Sequence, residues 1–246
     1  MTELGGGLRL EPSRYAKHLD MAFHLQSLTE HDIRSSAGQA RAAGVAAFYT
    51  NSYWVGVVAD VLAGSDVRVG SAIAFPYGSV PTRVKVAEIE ASLEDGATAV
   101  DMVVNIGALR GQDFRLVETE VAELRQRCAG RALSKLIFEV GFLTDDEIVT
   151  LTKIGIGAGV DYVKTSTGSE AFPNEAQVRL MLEHTAGTDT RVKVSGLPRT
   201  FTLAASLWML ELGVDLMGTR SAAALVRQYT DLCRGEDFDG AIPGRD

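Results

Sequence analysis

Cysteine, histidine and long apolar runs are all scarce in this chain, and each scarcity removes a class of explanation. There are two cysteines among 246 residues, Cys128 and Cys233. With no short-spaced Cys/His set beside them, a disulfide framework and a structural zinc module are both excluded. Two thiols in a chain of this length need no bridge, which fits a reducing, cytoplasmic setting. The four histidines, His18, His24, His31 and His184, are scattered over non-strand positions. No inward pair of them is visible, so no metal site is expected, and His18 and His24 read as surface or packing residues. No uninterrupted apolar run approaches the roughly 18 residues of a membrane span. The opening MTELGGGLRLEPSR has no apolar signal core. Positive charge is also in deficit: the net charge is -8. An acidic surface repels polyphosphate backbones and argues against nucleic-acid partners. It leaves room for a small anion in a locally positive pocket.

What is present is an alternation. Hydrophobic residues make up 46% and charged residues 23%, an ordinary globular balance, and the length suits one α/β domain over residues 1–246. The termini, about 1–13 and 235–246, read as loose. Short β-branched runs are predicted as strands at Leu19–Phe23, Ala46–Thr50, Arg68–Ala74, Ala99–Asn105, Ser134–Val140, Asp161–Thr165, Arg191–Ser195 and Asp215–Met217. Amphipathic stretches predict helices at Thr29–Ala43, Thr82–Glu94, Phe114–Arg127, Thr144–Ala158, Asn174–His184, Thr200–Glu211 and Ser221–Leu232. A helix end, a glycine and a strand start recur in RAAGVAAF, LEDGATAVD, IGAGVDYVK and LELGVDLMG, marking a repeated αβ unit. Alternating strands and helices imply parallel strands joined by right-handed crossovers. An open sheet would satisfy that too, but eight strands favour a closed (β/α)8 TIM barrel.

Charges inside buried parallel strands need a reason. In ATAVDMVVN, period-two alternation puts Val100, Met102 and Val104 on the helix-facing side, and Asp101 and Asn105 on the other. The same rule turns Lys164 of DYVKTSTG and Lys193 of RVKVSG inward. Two crowded ammonium groups in a dry cavity cannot both stay charged, so one lysine should be neutral near pH 7. A neutral amine is the nucleophile that forms a Schiff base with a carbonyl, and an aspartate beside it can move the protons. The bland alternatives are snorkelling surface lysines and a structural ion pair. Glu139, in LIFEVG, is as readily catalytic as structural. Asp20 opens the loop after the first strand and is a candidate for substrate hydroxyls, and Asn51 is a further substrate-binding candidate. The loops after strands seven and eight, SGLPRT and MGTRSAA, carry glycines, Arg199 and Arg220, and a helix starting at Ser221. That pattern suits a phosphate. Met21, Trp54 and Trp208 read as packing.

The stretches AFPYGSVPTRVKVAE, DMVVNIGAL, YVKTSTG, KVSGLPRT and MGTRS resemble the deoxyribose-phosphate aldolase family and its class I relatives, from about Leu19 to Ala224. The resemblance implies a Schiff-base lysine at Lys164, a perturbing lysine at Lys193, a proton-relay aspartate at Asp101 and a substrate-side aspartate at Asp20. It implies phosphate binding by Gly168, Gly196, Gly218 and Ser221. It further implies reversible cleavage of 2-deoxyribose 5-phosphate to acetaldehyde and glyceraldehyde 3-phosphate, without metal or other cofactor. Dimers are common among such barrels, although no interface is legible here. Departures cluster in the pocket. Ser169 replaces a lysine, Leu197-Pro198 follow Gly196 where a second glycine is usual, Arg220 replaces a serine, and Asp20-Met21-Ala22 stands for Asp-His-Thr. They leave open a related lyase with another sugar-phosphate or keto substrate, or an inactive sugar-phosphate-binding barrel.

Overall fold

The computed structural model describes residues 10–170, 172–196 and 201–235. Its centre is a closed barrel of eight parallel strands in sequence order: β1 (Leu19–Ala22), β2 (Ala47–Asn51), β3 (Arg68–Ile73), β4 (Ala99–Val103), β5 (Leu133–Ile137), β6 (Tyr162–Lys164), β7 (Arg191–Val194) and β8 (Leu216–Gly218). β8 closes on β1 through Leu19 opposite Met217 and Asp20 opposite Gly218. The expected (β/α)8 barrel is therefore the fold found.

Around it lie α1 (Pro12–Ala16), α2 (Glu30–Ala43), α3 (Val55–Leu62), α4 (Thr82–Glu94), α5 (Ile106–Arg110), α6 (Phe114–Cys128), α7 (Asp145–Ala158), α8 (Glu175–Thr185), α9 (Leu203–Glu211) and α10 (Ala222–Arg234). Their ends follow from local chemistry. Thr29 with Asp32, Thr144 with Glu147, and Asn174 with Gln177 form reciprocal capping boxes at α2, α7 and α8, each satisfying two otherwise orphaned N–H groups. Gly44 and Gly159 stop α2 and α7 in the left-handed conformation, which costs glycine nothing and a side chain strain.

Burial divides along the strand pleat. Val100, Met102 and Val104, with Leu136, Val163, Val192 and Met217, join the helices in the main core. Ala47, Tyr49 and Ala99 form a separate small cluster inside the barrel, with Ala22 and Leu133 against it. Small residues there leave room for the polar layer described below.

Several expectations need correction. Three helices went unforeseen. α3 buries Val55, Val58 and Leu62 at helical spacing, but valine-rich VGVVADVL has little polar face to reveal the period. α5 has only five residues and is capped by Asn105, whose side-chain oxygen accepts from the Ala108 N–H at 3.1 Å. Asn105 is thus a helix cap and not a residue of the fourth strand. α1 begins at Pro12, inside the segment read as loose. Tyr15 stacks on Tyr229 of α10 with centroids 4.3 Å apart, and Leu10 exchanges hydrogen bonds with the Tyr229 hydroxyl. α9 starts at Leu203, capped by Thr202, and the expected start at Thr200 lies outside the described residues. Strand five ends at Ile137, because Glu139 turns left-handed at φ 58°.

Candidate active site

Among the described residues, the barrel interior brings together five buried acidic and basic side chains from five strands: Asp20 (β1), Asp101 (β4), Lys135 (β5), Lys164 (β6) and Lys193 (β7). Adjacent strands set them in register, with Asp101 opposite Lys135 and Lys164 opposite Lys193. Lys164 donates to Asp101 Oδ2 at 2.7 Å, and Lys193 donates to the same oxygen at 2.8 Å. Lys193 also reaches Asp20 Oδ2 at 2.7 Å, and Lys135 reaches that atom at 3.1 Å. The two lysines singled out from the sequence therefore meet at one carboxylate oxygen.

Three ammonium groups and two carboxylates would leave one uncompensated positive charge. Water cannot disperse it here, so the cheapest remedy is to lose a proton. The environment decides which lysine does so. Burial is the largest influence on Lys164 and drives its pKa down. Asp101 pulls the other way and Lys193 adds to the depression, bringing it from the usual 10.5 to about 8. Lys193 is equally buried, but two carboxylates hold it and its pKa is raised. Asp101 and Asp20 are each opposed by burial, yet the lysines win and keep both carboxyls below their ordinary range. Burial lowers Lys135 as well, against the pull of Asp20; of the two lysines that share Asp101, Lys164 is the one that gives up its proton more readily.

Two participants escaped sequence reasoning. Lys135 follows the same alternation that flags Lys193, with Leu133 and Ile137 on its face, so its signal was present. Tyr49 looked like ordinary strand packing. Its hydroxyl accepts from Lys135 Nζ at 2.7 Å, and its ring lies 4.0 Å from Lys193 Nζ, within cation–π range. It faces Gly70 of β3 in register. A Cβ at Gly70 would meet the Tyr49 ring at 2.5 Å, so glycine there makes the ring's position available. Burial, with Asp101 and Asp20 near, holds the phenol neutral far above its usual range.

The other expected residues sort themselves by location. Asp20 lies within β1 and is fully buried. It thus sits below the loop, where its Oδ2 accepts from Lys193 and Lys135. Asn51 ends β2, half-buried at the mouth. Gly168 and Gly196, both left-handed, bring the loops after β6 and β7 together. A Cβ on Gly168 would sit 2.9 Å from Gly196 Cα. Gly218 closes β8 against the Ser195 hydroxyl. Arg220 and Ser221 are exposed at the start of α10. Arg199, Leu197 and Pro198 lie outside the described residues. Glu139 accepts from the Thr167 N–H at 3.0 Å and from the Thr167 hydroxyl, so it braces the loop after Lys164. Burial raises its pKa. His24, expected at the surface or in packing, packs on Phe75 with ring centroids 4.4 Å apart. Trp208, expected as packing, is 44% exposed. Among the described residues no group of three or more His, Cys, Asp or Glu side chains converges as a metal site, and no helix is long and apolar enough to cross a membrane.

A parallel barrel with a lysine amine held close to neutrality among carboxylates is an arrangement suited to addition to carbonyls. Comparison with known proteins makes the class specific. The DeoC/LacD family aldolase model matches residues 14–207. Deoxyribose-phosphate aldolase of Bacillus cereus (strain G9842) is 36% identical over 211 residues, covering 86% of this chain and 94% of the relative. That of Brevibacillus brevis is 36% identical over 210 residues, covering 85% and 94%. The tetrameric deoxyribose phosphate aldolase of Aeropyrum pernix superposes with a TM-score of 0.82 at 25% identity, over 90% of this chain and 93% of that one. The chain belongs to the DeoC/LacD family of aldolases, and its class of activity is that of a lyase.

Proposed function

We propose that this aldolase reversibly cleaves 2-deoxy-D-ribose 5-phosphate to acetaldehyde and D-glyceraldehyde 3-phosphate through a Schiff base on Lys164. The observation that carries the reading is the convergence of Lys164 and Lys193 on one oxygen of Asp101 inside the barrel. The neutral Lys164 amine adds to the aldehyde carbon of the open-chain sugar. The carbinolamine loses water to give an iminium, with Asp101 placed to pass protons between nitrogen and oxygen. As the C2–C3 bond breaks, its electron pair moves into the iminium to form an enamine. The C3 hydroxyl gives up its proton to become the aldehyde of glyceraldehyde 3-phosphate. Protonation of the enamine at C2 and hydrolysis by water release acetaldehyde and restore the amine. Lys193 stays charged throughout and adds its positive field to the burial that holds the Lys164 pKa down.

The phosphate is assigned to the mouth between the loops after β6, β7 and β8. There Gly168, Gly196 and Gly218 allow close approach of backbone N–H groups, and α10 begins at Ser221 with its positive end free for an anion. Arg220 would supply a side-chain charge at a rim where Ser169 supplies none, Arg199 is a further candidate for the phosphate, and Asn51, at the end of β2, is one for the rest of the substrate. A homodimer in the cytoplasm completes the proposal; the free thiols Cys128 and Cys233 suit a reducing compartment.

The test is cleavage of 2-deoxyribose 5-phosphate followed by acetaldehyde release, set against unphosphorylated 2-deoxyribose. Saturable turnover that prefers the phosphate ester is expected. No turnover of either sugar, by a folded protein that still binds glyceraldehyde 3-phosphate, would refute the proposal. Sedimentation at micromolar concentration tests the dimer, and a monomer would refute that part.

A further inference from the structure

One inward column of side chains continues past the lysine layer. Asp20 and Ala22 face the interior of β1, and Phe23 still pairs with β2, donating to the Tyr49 carbonyl at 2.9 Å. Period-two alternation then directs His24 inward at the mouth. The corresponding continuations of β6 and β7 are Ser166 and Ser195. In all three a polar atom is buried without a partner among the described residues: His24 Nδ1, Ser166 Oγ and Ser195 Oγ. Buried polar atoms are normally satisfied, so three orphans one step above the lysines mark where a polar ligand lies.

His24 differs from the two serines. It is planar, it packs on Phe75, and Asn51 stands beside it. Burial foremost, with the nearby Lys164 ammonium, depresses its pKa to about 3. The imidazole is therefore neutral across the working range, with one N–H donor and one acceptor nitrogen. A hydroxyl can satisfy either nitrogen. A purely apolar acceptor would leave Nδ1 dry and unpaired, which costs binding.

From this geometry we propose that His24 is a specificity-determining residue, whose ring nitrogen hydrogen-bonds a hydroxyl of the acceptor aldehyde and selects hydroxylated acceptors over alkyl ones. The inference rests on the aldolase reading above and adds the group that recognises the acceptor.

The experiment is aldol addition of acetaldehyde to D-glyceraldehyde and to propanal. Both acceptors are three-carbon and unphosphorylated, so the phosphate site is not engaged. In His24→Leu the ratio of kcat/KM for glyceraldehyde over propanal falls roughly tenfold or more, while the propanal value stays within about threefold of wild type. His24→Gln, which keeps a donor and an acceptor, retains most of the preference, and it serves as the test if the leucine variant does not fold. A ratio unchanged in His24→Leu overturns the proposal, as does an equal fall with both acceptors. The underlying reading fails in a distinguishable way: wild-type protein treated with acetaldehyde and borohydride would then carry no adduct on Lys164.

Discussion

Replacing Lys193 by methionine removes the ammonium that Asp20 and Asp101 share, while keeping a long side chain in its place. In the wild-type protein, neutral Lys164 leaves two ammonium groups, Lys135 and Lys193, balanced against two carboxylates. In Lys193→Met the same balance is reached only when Lys164 is protonated. Its pKa should then rise from about 8 toward the ordinary 10.5, held back by the burial that remains. At pH 7 the neutral fraction of the amine would drop by at most roughly 300-fold, the value for a full return. The assay is the pH profile of kcat/KM for cleavage of 2-deoxyribose 5-phosphate between about pH 6 and pH 11, with the melting temperature checked alongside. Below its pKa the amine is charged and inert, so the wild-type acid limb should fall near pH 8, about tenfold for each unit of pH. The variant's limb should move to clearly higher pH, and activity lost at pH 7 should return in part there. A folded variant whose limb stays near pH 8 would refute the charge argument, whatever its absolute rate.

Further predictions follow from other parts of the barrel. Lys85 of α4 and Glu120 of α6 form a fully buried ion pair at 2.7 Å that also grips the end of β4 through the Val103 carbonyl and the Asn105 N–H. Lys85→Met strands the Glu120 carboxylate, so urea unfolding should show a loss of about 3–5 kcal/mol; a loss below about 1 kcal/mol would show the pair to be dispensable. Gly70→Ala drives a Cβ to 2.5 Å from the Tyr49 ring. Displacing that ring should uncouple Lys135 from Tyr49 and lower kcat more than it raises KM; unaltered kcat would mean that the ring moves at no cost. Arg220→Ala should raise KM for phosphorylated substrates roughly tenfold and leave that for 2-deoxyribose unchanged. An unchanged KM for the phosphate ester would remove Arg220 from the anion site.

Much of this was written in the chain, because parallel strands buried on both faces tolerate few charges. Lys164, Lys193 and Asp101 stood out against valines, and one alternation rule placed them together. Lys135 obeyed that rule as well, but Ser134 before it blurred the apolar side of the strand. Tyr49 was illegible for a different reason. An aromatic residue in a strand is the expected core filler, and only the glycine opposite, set by register 21 positions along the chain, shows where its ring goes. Asp20 was seen as a candidate for substrate, but not as the carboxylate shared by Lys135 and Lys193, because the first of those lysines had gone unnoticed. His24 was read as surface or packing and does pack on Phe75, but its inward side went unseen because it lies just past the expected end of its strand at Phe23, where the alternation was not carried on. α3 hid its helical period among valines, and α5 was too short to show one.

Treatment of the protein with acetaldehyde and borohydride, followed by tryptic mass mapping, bears on the central claim most directly. Reduction of a Schiff base on Lys164 blocks cleavage at that residue, so a fused peptide spanning 154–179, carrying one ethyl group, should replace the separate peptides ending at Lys164 and Arg179. Modification confined to Lys193, Lys135 or surface lysines, with the peptide ending at Lys164 intact, would contradict the account.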